Sequence, residues 1–82
     1  MNSIAAQVSL YPLRQQHLGT AISKALAVFT AHGLEVRPGS LSTVVVGGEE
    51  AVFESLKAAF RAGAASGDVV MVVTVSNACP EK

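Results

Sequence analysis

Aromatic residues are scarce in this chain. There is no tryptophan, and one tyrosine and three phenylalanines make up 5% of its 82 residues. Charge is scarce too, at 15%, and six basic residues balance six acidic ones without clustering of either sign. A nucleic-acid surface needs a basic stripe, so that class of partner is excluded. Zero net charge also gives no long-range steering of a charged partner. The single cysteine, Cys79, excludes an intramolecular disulfide, and a reducing cytoplasm is the expected compartment. No apolar run approaches the roughly 20 residues of a membrane span. The opening MNSIAAQVSLYPLR lacks the basic start and long apolar core of a secretory signal. The expectation is a soluble, intracellular protein.

What the chain has is small apolar residues. Half of it is hydrophobic, and the mean hydropathy is +0.44. One domain over residues 1–82 is expected, and a domain of this size buries only about 60% of the surface of its unfolded chain. So much apolar surface on so small a body predicts a second copy that covers part of it.

The periodicity changes in a regular order. From Ile4 to Tyr11, Ala6, Val8 and Leu10 alternate with Gln7, Ser9 and Tyr11, which predicts a strand that Pro12 ends. Leu18, Ile22, Ala25 and Phe29 recur at three and four residues and predict a helix from about Gly19 to His32. Gly19 or Thr20 would cap its start, and Gly33 its end. Leu34–Arg37 reads as extended, Pro38-Gly39 as a tight turn, and Leu41–Val46 as a β-branched strand. Gly47-Gly48 breaks that strand. Glu49 and Glu50 then favour a helix N-terminus, with Val52, Leu56 and Phe60 predicted inward and Glu50, Glu54, Lys57 and Arg61 outward. Ala64–Gly67 leads into a last strand over Val69–Val75. The order β-α-β-β-α-β gives a ferredoxin-like α+β sandwich. Its antiparallel four-stranded sheet runs 4-1-3-2, with both helices on one face.

Two helices cover one face of such a sheet. In the last strand Val70, Val72 and Thr74 share one side, Met71, Val73 and Val75 the other, and both sides are apolar. Helices would cover one, a partner subunit the other. The open face also carries Gln7, Ser9, Tyr11, Thr74 and Ser76, whose polar groups need partners if buried. A small polar ligand, ordered water or hydrogen bonds across a subunit interface would each serve.

Catalysis and metal binding find little footing. Cys79 with His17 or His32 as base would be a nucleophile pair, but no spacing supports it, and His32 lies where it favours a helix C-terminus. Two distant histidines and one cysteine do not make a metal site. Asp68 reads as a turn or cap residue, and Met71 as core. The expectation is a protein that is not an enzyme and holds no cofactor or metal.

The segments AQVSLYPLRQQHL, GLEVRPGSLSTVVVGGEEAVFESLKAAF and GDVVMVVTVSNACP resemble the YkoF-like family of thiamine- and hydroxymethylpyrimidine-binding proteins. The likeness runs from about Ala6 to Pro80, and SLYPL, STVV and SNACP carry it. A longer member has two such units in one chain, whereas this chain has one. The resemblance implies a ferredoxin-like fold and pairing through sheets, as a dimer or tetramer. It further implies binding of thiamine or its hydroxymethylpyrimidine moiety for uptake or salvage, with a membrane transporter or a salvage enzyme to receive the ligand. An aminopyrimidine offers a donor amine and acceptor ring nitrogens. Gln7 and Asn77 offer both functions, Ser9, Ser42, Thr43, Thr74 and Ser76 offer hydroxyls, and Tyr11 offers a ring and a hydroxyl. These eight form the expected site, on the open face between subunits. Tyr11 and Asn77 end antiparallel neighbours, about seven residues apart at roughly 3.3 Å each. One pocket holds both only if two subunits bring opposite ends together; otherwise SNACP is a structural terminus or a second site. The alternative function is a ligand-free self-association or regulatory module with a polar sheet-to-sheet interface.

Overall fold

The computed structural model describes residues 3–14, 18–39 and 41–78. Strand β1 (Ser3–Leu13) leads through helix α1 (Leu18–Ala31) to the hairpin β2 (Glu35–Pro38) and β3 (Thr43–Gly48). Helix α2 (Glu49–Gly63) and a short 3-10 turn (Ala64–Ser66) then lead to β4 (Asp68–Ser76). The four strands form one antiparallel sheet in the order β2-β3-β1-β4, and both helices lie on one face. This is the ferredoxin-like α+β sandwich expected from the periodicity.

The core lies between the helices and that face. Ile4, Ala6, Val8, Ala25, Phe29, Leu34, Val45, Val52 and Ala59 form one buried cluster. The alternation of β1 sets it up: Ile4, Ala6 and Val8 point inward, while Gln7 and Tyr11 point out. Gly33 adopts φ +76°, the left-handed conformation that ends α1. Its N–H donates to the Thr30 carbonyl (2.9 Å) and that of Leu34 to the Phe29 carbonyl (3.2 Å), a Schellman closure that seats Leu34 beside Phe29 in the core. Gly47 lets Leu34 lie close against β3, since a Cβ there would stand 2.4 Å from Leu34 Cδ2.

Several boundaries differ from expectation. Pro12 does not end β1, which continues to Leu13 opposite Asp68. The pairing with β3 stops at Val8, so β1 has a single neighbour at Pro12, where a ladder tolerates a missing N–H. Helix α1 begins at Leu18, so Gly19 and Thr20 lie inside its first turn and do not cap it. In α2 the buried residues are Val52, Ser55, Ala59 and Gly63, while Phe53 and Phe60 are exposed. The buried Ser55 satisfies its hydroxyl locally, by donating to the Val52 carbonyl at 2.7 Å. Glu49 and Glu50 occupy the first turn of α2 as expected, behind Gly48, which offers no side-chain cap.

Candidate functional site

The register of the sheet sorts the eight candidate residues. Across the β1–β4 ladder Gln7 faces Thr74, Ser9 faces Val72, Tyr11 faces Val70, and Ala5 faces Ser76. Opposed residues share a face, so Gln7, Ser9, Tyr11, Thr74 and Ser76 lie on the open side with Val70 and Val72, as expected. Gln7 Nε2 donates to Ser42 Oγ at 2.9 Å, which brings Ser42 to the same side. Tyr11, Val70 and Val72 are each about half exposed there. The open face is therefore a mixed surface, apolar along β4 and polar along the middle of β1.

Thr43 corrects the expectation. It pairs with Val8, an inward-facing residue, and points under the helices with only 8% of its surface exposed. Among the described residues nothing meets its hydroxyl by hydrogen bond. A buried hydroxyl without a partner is uncommon and costs roughly 1–3 kcal/mol.

Thr43 stands in the wall of a cleft of about 240 Å³. The cleft forms where β1 and β3 cease to pair, beyond the Val8–Thr43 contact, and α1 roofs it with Ile22, Leu26 and Phe29. Leu10 and Met71 line it from the sheet. Ser9, Ser42, Pro38, Gly39 and Leu41 border it. The chemistry is that of a ring-binding site: apolar walls with few polar groups at fixed places. Three of the eight expected residues, Ser9, Ser42 and Thr43, thus meet at one end of the sheet. The apolar walls carry no separate signal in the sequence, where Ile22 and Met71 read as ordinary core.

Ser76 and Asn77 lie at the opposite end. They border a shallower hollow of about 420 Å³ with Ile4, Glu49, Phe53 and Val75. Ser76 Oγ there accepts the Ala78 N–H at 3.0 Å, which turns the chain at the end of β4. Five residues of β1 lie between Ala5, the partner of Ser76, and Tyr11. A single subunit therefore does not join Asn77 and Tyr11 in one pocket. Cys79, Pro80 and His17, also weighed in the sequence, lie outside the described residues.

His32 is committed elsewhere: its Nδ1 donates to the Val28 carbonyl at 2.9 Å, at the end of α1. Asp68 bonds Arg14 at 2.5 Å on an exposed corner. No group of three potential metal ligands occurs among the described residues. Nor is any described helix long and apolar enough to cross a membrane.

The profile of the YKOF-related family matches residues 3–82. No curated protein matches the chain. Among solved structures, a hypothetical protein of Methanocaldococcus jannascii superposes with a TM-score of 0.87 at 24% identity, covering 100% of this chain and 87% of its own. A "domain of unknown function DUF77" from Bacillus cereus gives 0.81 at 18%, over 92% of this chain and 75% of its own. A Thermotoga maritima protein, described as a "putative thiamine biosynthesis/salvage protein", gives 0.76 at 17%, over 89% and 81%. At these identities the structures establish the common fold.

Proposed function

The chain belongs to the YKOF-related family, and on that premise we propose that it binds thiamine, or the hydroxymethylpyrimidine half of thiamine, without transforming it. The binding place is the cleft beneath α1. Thr43 carries this reading: it is buried, lines an apolar cleft, and has a hydroxyl without a partner among the described residues, which a bound ring nitrogen or amine would complete. The cleft is smaller than the roughly 300–1,000 Å³ of drug-sized sites and suits one substituted heteroaromatic ring. Ser42 and Ser9 stand at its border, where substituents of the ring would emerge. The thiamine connection of the Thermotoga neighbour supports the ligand class.

Self-association through the open face accompanies this function. Val70, Val72 and Tyr11 lie half exposed in one patch, and sheet-to-sheet contact would bury them at about 25 cal/mol per Å². The Gln7–Ser42 bond already satisfies part of the polar strip, so such an interface would leave less of it unpaired.

Thermal melting with thiamine, hydroxymethylpyrimidine and a thiazole control tests the ligand. Binding to the native state alone stabilises it by about 2.7 kcal/mol at a hundredfold excess over Kd, several degrees for a domain of this size. The expected result is a shift with both pyrimidine compounds and none with thiazole. No shift with any of them overturns the ligand and leaves the self-association module.

A further inference from the structure

Leu41 is 89% exposed, more than any other large apolar side chain among the described residues. Exposure of a single leucine is ordinary; its position is not. It stands in the β2–β3 hairpin at the rim of the cleft, and the residues across that rim, Ile22 and Leu26, are half-buried on α1. The hairpin end is closed at its base, where the Gly39 N–H donates to the Ser42 carbonyl at 2.9 Å. That bond ties Gly39 to Ser42 beside the cleft, and at 89% exposure the Leu41 side chain is not held in place by packing.

From this geometry we infer that Leu41 is a closing side chain. In the free protein it lies in water. When a planar ligand seats against Thr43, the ligand's outer face is itself apolar and exposed. Rotation of Leu41 over that face removes both surfaces from water together. A seated ring offers Leu41 more apolar surface to cover than the empty cleft does, so closure is coupled to occupancy. The side chain then acts on residence time more than on encounter, because it covers a ligand already in place. It also sets specificity. A flat ring without a polar group on its outward face is covered, whereas one that carries a charged or bulky substituent there holds the leucine off. This inference rests on the cleft being the ligand site.

The test measures dissociation of hydroxymethylpyrimidine by stopped-flow from the wild-type protein and from Leu41→Ser, Leu41→Met and Thr43→Val. Melting temperature and sedimentation are recorded in parallel. Closure predicts roughly tenfold faster dissociation from Leu41→Ser, near wild-type dissociation from Leu41→Met, and association rates within about twofold throughout. The melting temperature of ligand-free Leu41→Ser stays at the wild-type value, since the side chain is already in water. Equal dissociation from wild type and Leu41→Ser, with Thr43→Val weakened, overturns the closure and leaves the cleft as the site. Binding unaffected by either Thr43→Val or Leu41→Ser overturns the cleft and the closure together, as does no binding to wild type. A change in sedimentation of Leu41→Ser with unaltered dissociation assigns the residue to a subunit contact and overturns the closure.

Discussion

Ser42 and Thr43 are neighbours in the chain with hydroxyls on opposite sides of the sheet. Ser42 accepts a hydrogen bond from Gln7 on the open face, and Thr43 lies buried beneath the helices with no hydrogen-bond partner among the described residues. The two hydroxyls therefore have opposite energetic signs in the free protein. Thr43→Val keeps the shape and the β-branch while removing an unsatisfied hydroxyl, so the ligand-free protein gains about 1 kcal/mol. For a domain of this size that raises the melting temperature by roughly 4–8 °C. The same variant loses most of the ligand-induced shift. A destabilised Thr43→Val would mean that the hydroxyl is already bonded.

Gly47 and Leu34 give a second, independent test. A Cβ on residue 47 would stand 2.4 Å from Leu34 Cδ2, so Gly47→Ala forces the leucine out of its place between Phe29 and β3. Overpacking of this kind costs about 1–3 kcal/mol. Leu34→Ala alone costs about 2–5 kcal/mol by leaving a cavity. In the Leu34→Ala background the added methyl meets only an ordinary contact with Val52 Cγ2 at 3.9 Å, and Gly47→Ala becomes nearly neutral. Urea denaturation of the four proteins of this cycle measures the coupling, and strict additivity of the two changes would contradict the close approach.

The fold was legible because its signals repeat. Period two in Ile4–Tyr11, Gly33 after a helical stretch, and Gly47-Gly48 before two glutamates each mark a boundary by an independent physical rule. The site was less legible, and the cause lies in β3. In Ser42-Thr43-Val44-Val45-Val46 the polar residues are adjacent and the apolar ones identical, so alternation carries no information. A register shift of one residue exchanges the faces without changing the pattern. Only the pairing of Thr43 with Val8 decides it. Phe60 failed for a related reason. The inward face of α2 is built from Val52, Ser55, Ala59 and Gly63, and the phenylalanines lie outward of it.

Helix α2 accordingly makes an inverted prediction about residue size. Phe60→Ser removes a large aromatic that is 43% exposed, and the expected cost is below about 1 kcal/mol. Val52→Ala removes two methyl groups from a fully buried position and costs more, about 1–3 kcal/mol. Chemical denaturation of the two variants ranks them. A Phe60→Ser protein less stable than Val52→Ala would return Phe60 to the core.

The open face is tested at Val72. This residue is 53% exposed and lies opposite Ser9 in the middle of the β1–β4 ladder. Val72→Lys leaves the fold intact, because the charge remains in water in the separate subunit. A twofold face-to-face contact would bring the two introduced charges into one interface, where like charges cost several kcal/mol. Sedimentation at increasing concentration is expected to show a self-associating wild type and a monomeric Val72→Lys, with the same far-ultraviolet circular dichroism. Association that persists in the variant would place the contact elsewhere.

Arg14 joins two weak effects of opposite sign. Its φ of +56° lies in the left-handed region, which costs a residue with a Cβ roughly 1–2 kcal/mol. Its guanidinium pairs with Asp68, but the two side chains are 79% and 60% exposed, and such pairs contribute about 0–1 kcal/mol. Arg14→Gly removes both, relieving the backbone and losing the pair, while glycine also gives the unfolded chain more freedom. The sum is expected within about 0.5 kcal/mol of wild type. Arg14→Val also loses the pair but puts a β-branched residue at the same φ, so it falls below Arg14→Gly by about 1–2 kcal/mol. Melting both variants at low and high salt separates the contributions. The gap between them persists in salt because it is steric, whereas both variants gain on wild type by the same amount as its ion pair is screened. A gap that vanished in salt would assign the effect to charge and deny the strained backbone at residue 14.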